Sequence, residues 1–201
     1  MFTIMDHRLM RDDVEVTIAE TDKMGSTLKA QFLVIHYTAG ASFAADVTTL
    51  STASVKASVH LVIGRQGELT QIVPFNRIAW HAGVSEWSTL SGMNKYSIGI
   101  ELSNAGRLTK TADGQFHSWW GAAIPAAEVM EAVHERGGPM AGWHLYTEAQ
   151  ISVLFEIAQA LHQKYQFLEL LGHDDISWDR KSDPGPAFPM RALRSRILGR
   201  N

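Results

Sequence analysis

The chain has 201 residues, enough for one domain with a core that needs no covalent staple. It contains no cysteine, which excludes a disulfide framework, a thiolate metal site, an iron–sulfur cluster and a cysteine nucleophile, so any metal must be held by His, Asp or Glu. The net charge of −3 lacks the basic excess of a general nucleic-acid binder, and no apolar run approaches the roughly 18 residues that a membrane span requires.

Residues 1–30 are polar and read as an N-terminal arm, with one strand expected around Val14–Ile18. Charged residues from Asp6 to Glu15 break up the start of the chain, so it lacks the apolar stretch of a secretory signal. The expected location is the cytoplasm, or outside the cell after lysis. Residues 31–201 then form the single catalytic-size domain. Phe32-Leu33-Val34-Ile35 is a short, β-branched apolar run that fits a buried central strand. A helix is expected from Ser42 to Ser54, with Ser42 near its start. Ser58–Ile63 and Glu68–Val73 flank the turn Gly64-Arg65-Gln66-Gly67 and predict a hairpin. Tyr96–Leu102 reads as a fourth strand.

Between Gly106 and Gly142 the pattern is less regular, with a helix expected between Pro125 and Gly137-Gly138. Thr147 and Gln150 make a capping box. Behind it Ile151, Leu154, Phe155, Ala158 and Leu161 share one helical face. Phe167–Leu171 is a fifth strand, and Pro189–Leu198 a short basic helix. Alternating strands and helices predict one α/β domain, with a central mixed sheet of about five strands and helices on both faces.

The chemistry concentrates at strand ends. His36 follows the first core strand and His173 the fifth, and Asp183 stands ten residues beyond His173. Two imidazoles and a carboxylate, with a fourth position open, make a catalytic zinc set. By spacing alone the trio is a weak signal, and ordinary core or surface histidines fit the residues as well.

Five segments then matter together: VIHYTAG at 34–40, SVHLVIGRQGELTQIVPF at 58–75, IAWHAGVS at 78–85, YSIGIEL at 96–102 and GHDDISWDRKSDPGPAF at 172–188. In content and order they resemble the zinc N-acetylmuramoyl-L-alanine amidases, and most closely the AmpD-like branch that recycles peptidoglycan. The resemblance covers residues 32 to about 195. It implies that Zn²⁺ is held by His36, His173 and Asp183. It also implies hydrolysis of the amide between the lactyl group of N-acetylmuramic acid and L-alanine, in peptidoglycan or a muropeptide. Glu101 matches the family's proton-transfer carboxylate, and Lys181 the cation that stabilises the developing oxyanion. Val59 stands where some phage amidases place a tyrosine, so Glu101 has no rival there. His81, Lys56 and Asn94 match positions that contact substrate in the groove. His60 reads as structural, and His7, His117, His134, His144 and His162 as surface residues. The long 106–146 stretch, with Trp119, Trp120 and Trp143, departs from the recycling enzymes. Two other readings accompany this one: a phage or prophage endolysin of the same chemistry, and a silent peptidoglycan-binding module.

Overall fold

The computed structural model describes residues 1–200. In chain order the first part comprises β1 (Phe2–Met5), β2 (Arg8–Arg11), β3 (Val14–Glu15), β4 (Thr17–Ile18), β5 (Phe32–Tyr37) and α1 (Phe43–Ser51). β6 (Leu61–Ile63), β7 (Leu69–Gln71), β8 (Glu86–Trp87), β9 (Leu90–Ser91) and β10 (Ser97–Leu102) follow. Then come β11 (Arg107–Lys110), β12 (Phe116–His117), β13 (Ala123–Ile124), β14 (Val129–Ala132), β15 (Ala141–His144), α2 (Glu148–Tyr165), β16 (Glu169–Gly172), α3 (His173–Ile176) and α4 (Met190–Leu198). No helix among the described residues is long and apolar enough to cross a membrane.

The central sheet has six strands in the order β16-β5-β10-β6-β7-β4. β16, β5, β10 and β6 run parallel, and β7 returns antiparallel to β6 as the expected hairpin. The strands are short runs of β-branched and aliphatic residues, as a sheet covered on both faces requires. Alternation sorts the side chains. Leu33 and Ile35 of β5, Ile98, Ile100 and Leu102 of β10, and Leu61 and Ile63 of β6 face α2 and α4. There they meet Leu154, Ile157, Ala158, Leu161, Leu193 and Ile197, all buried. Each of the larger aliphatic side chains contributes about 1.5–3 kcal/mol on burial. The α2 start is built as the sequence expects: Thr147 accepts from Gln150 N, and Gln150 reaches back to the Thr147 backbone. α1 begins where Ser42 caps the Ala45 N–H, and it packs Phe43, Val47 and Leu50 on the opposite face. That opposite face also receives the other set of side chains from β5 and β10, including His36 and Glu101.

Two regions add to this frame. Residues 1–15 form the antiparallel sheet β1-β2-β3, whose Phe2 and Leu9 enter the main core. β4 continues into the central sheet by pairing with β7. The helix expected between Pro125 and Gly138 is not formed. Pro125 opens a single 3₁₀ turn, Ala126–Glu128, and the chain continues extended as β14. β14 pairs with β15 along its whole length, from Val129 opposite His144 to Ala132 opposite Ala141. The 106–146 stretch is therefore a five-stranded antiparallel sheet, β13-β12-β11-β15-β14. Its own small core is Ala105, Leu108 and Phe116, with Trp120, Ile124 and Val129 packed against it.

Candidate metal centre

β5 delivers His36 from its C-terminal half, and β16 ends directly on His173, the first residue of α3. Asp183 comes from the loop between α3 and α4. Tyr146 donates to Pro184 O at 2.8 Å, and Tyr37 and Ser182 share a 3.0 Å hydroxyl contact, which together pin that loop. Gly185, at φ +73°, lies so close to Trp143 that a Cβ there would sit 2.8 Å from its ring. The small sheet thus braces the loop that carries Asp183.

The three side chains meet in a buried cluster. His36 Nδ1 is 2.9 Å from His173 Nδ1 and 3.1 Å from Asp183 Oδ2, and His173 Nδ1 is 2.9 Å from the same oxygen. Their outer partners assign the tautomers. His173 Nε2 faces the Ala82 carbonyl at 3.1 Å and must donate to it, which leaves a lone pair on Nδ1. His81 Nε2 donates to Ser97 O at 3.3 Å, so His81 Nδ1 is an acceptor. His36 Nε2 donates to that atom at 2.9 Å, and its Nδ1 is likewise left with a lone pair. Three acceptors therefore face one another with no proton between them, an arrangement that a cation resolves. The spacings fall a few tenths of an ångström short of the roughly 3.3 Å edge of a tetrahedron with zinc-length bonds. Burial, then the neighbouring His173, pushes the His36 pKa down to about 4. Burial and His36 hold His81 well below its ordinary value. His36 is thus neutral at pH 7, as ligation demands, and so is His81, which accepts from it.

His81 and Asn94 support this centre. Asn94 Oδ1 accepts from the backbone N–H of His81 at 3.0 Å and of Ala82 at 2.7 Å. One side chain thereby fixes the two residues that orient both imidazoles. Gly99 makes room for the arrangement, because a Cβ there would lie 2.5 Å from the His81 ring. The sequence motif signals His81 and Asn94 as groove residues. In the structure His81 is nearly buried, with a share in the cavity wall, and Asn94 bonds the chain beneath it. The role of Gly99 has no sequence signal beyond its place in the IGIEL strand. His60 is structural as expected, donating to Arg77 O and accepting from Gly99 N. His144 is not a surface residue. It is buried, accepts from Ala105 N and contacts Glu128. His134 is largely covered too, at 3.0 Å from Asp174.

Glu101 stands opposite His36 in the parallel register of β10 and β5. Its Oε2 is buried and has no hydrogen-bond partner among the described residues. Burial, reinforced by the Asp183 and Asp46 carboxylates, pushes its pKa well above the usual range, with Lys181 opposing. A carboxylate so placed is a stronger base than one in water. Glu101, Lys181, Arg180, His173 and Asp183 line a cavity of about 410 Å³, within the range of ligand sites. Lys56 is exposed next to Ala57 and Ser58, which line the same cavity. Arg180, missed in the sequence, donates to Val84 O at 2.7 Å and ties this wall to the segment that holds His81.

A His–His–carboxylate cluster beside an unpaired carboxylate, on one face of an α/β sheet, is the layout of a metal-dependent hydrolase. The family model for N-acetylmuramoyl-L-alanine amidase matches residues 26–186, and the chain belongs to that family, in general one of zinc amidases. It is 33% identical over 144 residues to the 1,6-anhydro-N-acetylmuramyl-L-alanine amidase AmpD of Escherichia coli K12, covering 71% of this chain and 59% of that protein. It is 29% identical over 180 residues to the N-acetylmuramoyl-L-alanine amidase AmiD of the same organism, covering 85% and 54%. The chain thus spans less than two thirds of the length of these curated relatives. Among solved structures, an AmpD derivative superposes with a TM-score of 0.67 at 23% identity, covering 96% of this chain and 98% of that one, which shows the shared fold. AmpDh3 of Pseudomonas aeruginosa, solved with an anhydromuramic pentapeptide, gives 0.62 at 31% identity, covering 85% and 61%.

Proposed function

We propose that this chain hydrolyses the amide between the lactyl group of N-acetylmuramic acid and L-alanine in peptidoglycan or its fragments, with zinc held by His36, His173 and Asp183. The observation that carries the reading is the convergence of three lone-pair atoms beside the unpartnered carboxylate of Glu101. The matched relatives support it. AmiD of E. coli was solved with anhydro-N-acetylmuramic acid-L-Ala-D-γ-Glu-L-Lys, and this chain is 25% identical to it at a TM-score of 0.64.

When bound, zinc would polarise the scissile carbonyl and activate a water. The remaining work falls to side chains. Glu101 takes the proton of the attacking water and delivers it to the departing L-alanine nitrogen. Its raised pKa suits both halves of that transfer. The Lys181 ammonium offsets negative charge as it develops on the carbonyl oxygen. His81 and the Ala82 carbonyl hold the two imidazoles in the tautomer that presents Nδ1. Arg180 and Lys181 give the cavity a cationic wall suited to the carboxylates of a stem peptide.

The test pairs metal content with turnover. The purified protein should carry about one zinc per chain and release L-Ala-initiated peptide from a soluble anhydro-muropeptide or from intact sacculi. Chelator should abolish release, and zinc restore it. The His36→Ala protein should hold well under one zinc. Full zinc occupancy in that variant, or cleavage in excess chelator by protein shown to be metal-free, would overturn the reading.

A further inference from the structure

A second cavity, of about 370 Å³, opens between the start of α1 and the small antiparallel sheet. Its lining includes Gly40, Ser42, Phe43, Ser103, Trp120 and Ile124. The catalytic cavity ends on Tyr37, Thr38 and Ala39, and this one begins on Gly40. Only one peptide unit, about 3.8 Å between Cα atoms, separates them. Trp119 stands at that junction. Its Nε1 donates to Ala39 O at 2.6 Å, and its ring meets Trp120 edge-on at 5.8 Å. The ring is thereby held, yet it is 75% exposed.

We propose that this cavity, with Trp119 at its mouth, is a subsite for the sugar that neighbours the muramoyl unit, so that the 106–146 sheet selects glycan-linked substrate. The proposal rests on the amidase reading and extends it to substrate class. Three features choose a neutral sugar over the stem peptide. The one cation in the lining, Arg65, is already engaged by Glu128 at 2.9 Å and by Leu145 O at 3.0 Å. Glu68 adds a further negative charge, which disfavours a peptide rich in carboxylates. An exposed indole offers the flat apolar face against which the axial C–H groups of a pyranose stack.

The experiment compares two substrates with the same stem peptide and the same scissile bond: muramoyl-peptide alone, and the same unit bearing N-acetylglucosamine. Trp119→Ala should lower kcat/KM on the disaccharide substrate by roughly 3- to 10-fold and leave the monosaccharide unchanged. Trp119→Tyr should recover most of the loss. Because Trp119 is largely exposed and loses one hydrogen bond, either variant should lower the melting temperature by no more than about 2–4 °C. In parallel, a peptide-free N-acetylglucosamine–N-acetylmuramic acid oligomer is titrated into wild type and Trp119→Ala, following tryptophan fluorescence. Binding should weaken in the variant. An equal loss on both substrates would give Trp119 to the stem peptide or to the catalytic rim, and no loss on either would leave the subsite empty of function; each overturns the proposal. If wild type cleaves neither substrate, the amidase reading fails on its own. The oligomer titration then decides the subsite, and absence of binding overturns it.

Discussion

Asn94 is the most economical place to test how the metal centre is held. Replacing it by Ala removes the single oxygen that accepts from both His81 N and Ala82 N. Both residues are buried, so two backbone donors lose their partner. At about 1–3 kcal/mol for each unsatisfied donor, the fold should lose about 2–6 kcal/mol. The damage is also directional. His81 Nδ1 orients His36, and Ala82 O orients His173. Loss of such outer partners typically costs about 10–100-fold in metal affinity. Urea unfolding of the metal-free protein reads the first effect, and competition for zinc with a chromogenic chelator reads the second. Asn94→Asp keeps an accepting oxygen and should retain most of both. If Asn94→Ala kept wild-type stability and zinc affinity but raised KM, Asn94 would be a groove contact and the positioning argument would be wrong.

Glu101→Gln should keep zinc and lose about 10²–10⁴-fold in kcat, and Lys181→Ala about 10²–10³-fold, both read on a muramoyl-peptide; near wild-type turnover in either would move the role elsewhere. His60 is fully buried, and burial pushes its pKa down to about 4 from an ordinary value near 6.5. The unfolded chain takes up that proton first, so stability should fall as the pH drops from about 6.5 to about 4, by up to about 1.4 kcal/mol per unit from this group. Urea midpoints of metal-free wild type and His60→Asn across that window check it, and an equal slope in both would refute it. Gly185→Ala should destabilise the Asp183 loop by at least about 1–2 kcal/mol, because it combines a left-handed backbone with the Trp143 contact. A calorimetric melt unchanged from wild type would contradict it.

Much of this was legible in the sequence because the relevant signals are local. The short apolar runs at 32–35 and 97–102 need only a window of a few residues, and the Thr147–Gln150 box marks the α2 start by itself. The 125–138 segment misleads for the opposite reason. Pro125 and Gly137-Gly138 punctuate strands and turns as readily as helices. What decides is pairing with 141–144, which no local pattern records. The single strand expected around Val14–Ile18 divides into Val14–Glu15 and Thr17–Ile18, because the two halves pair with different partners, β2 and β7. In the site, His36, His173 and Asp183 are visible because strand ends and the GHDDISWDRKSDPGP segment announce them. The supporting contacts of Asn94 and Ala82 run through backbone atoms of distant segments, so side-chain identity carries no trace of them.

The three ligand residues do not share one mechanical fate. His36 and Glu101 are neighbouring rungs of a parallel ladder, so their separation is set by the strand spacing of about 4.8 Å and survives anything short of unfolding the sheet. Asp183 comes instead from the loop between α3 and α4, held by side-chain contacts from Tyr37, Tyr146 and Trp143 rather than by a strand ladder. On the proposed zinc reading, that loop is the side of the centre through which an ion would come and go. With no ion bound, base and first imidazole already stand in register, so a zinc arriving there would find half of its surroundings set by the sheet alone.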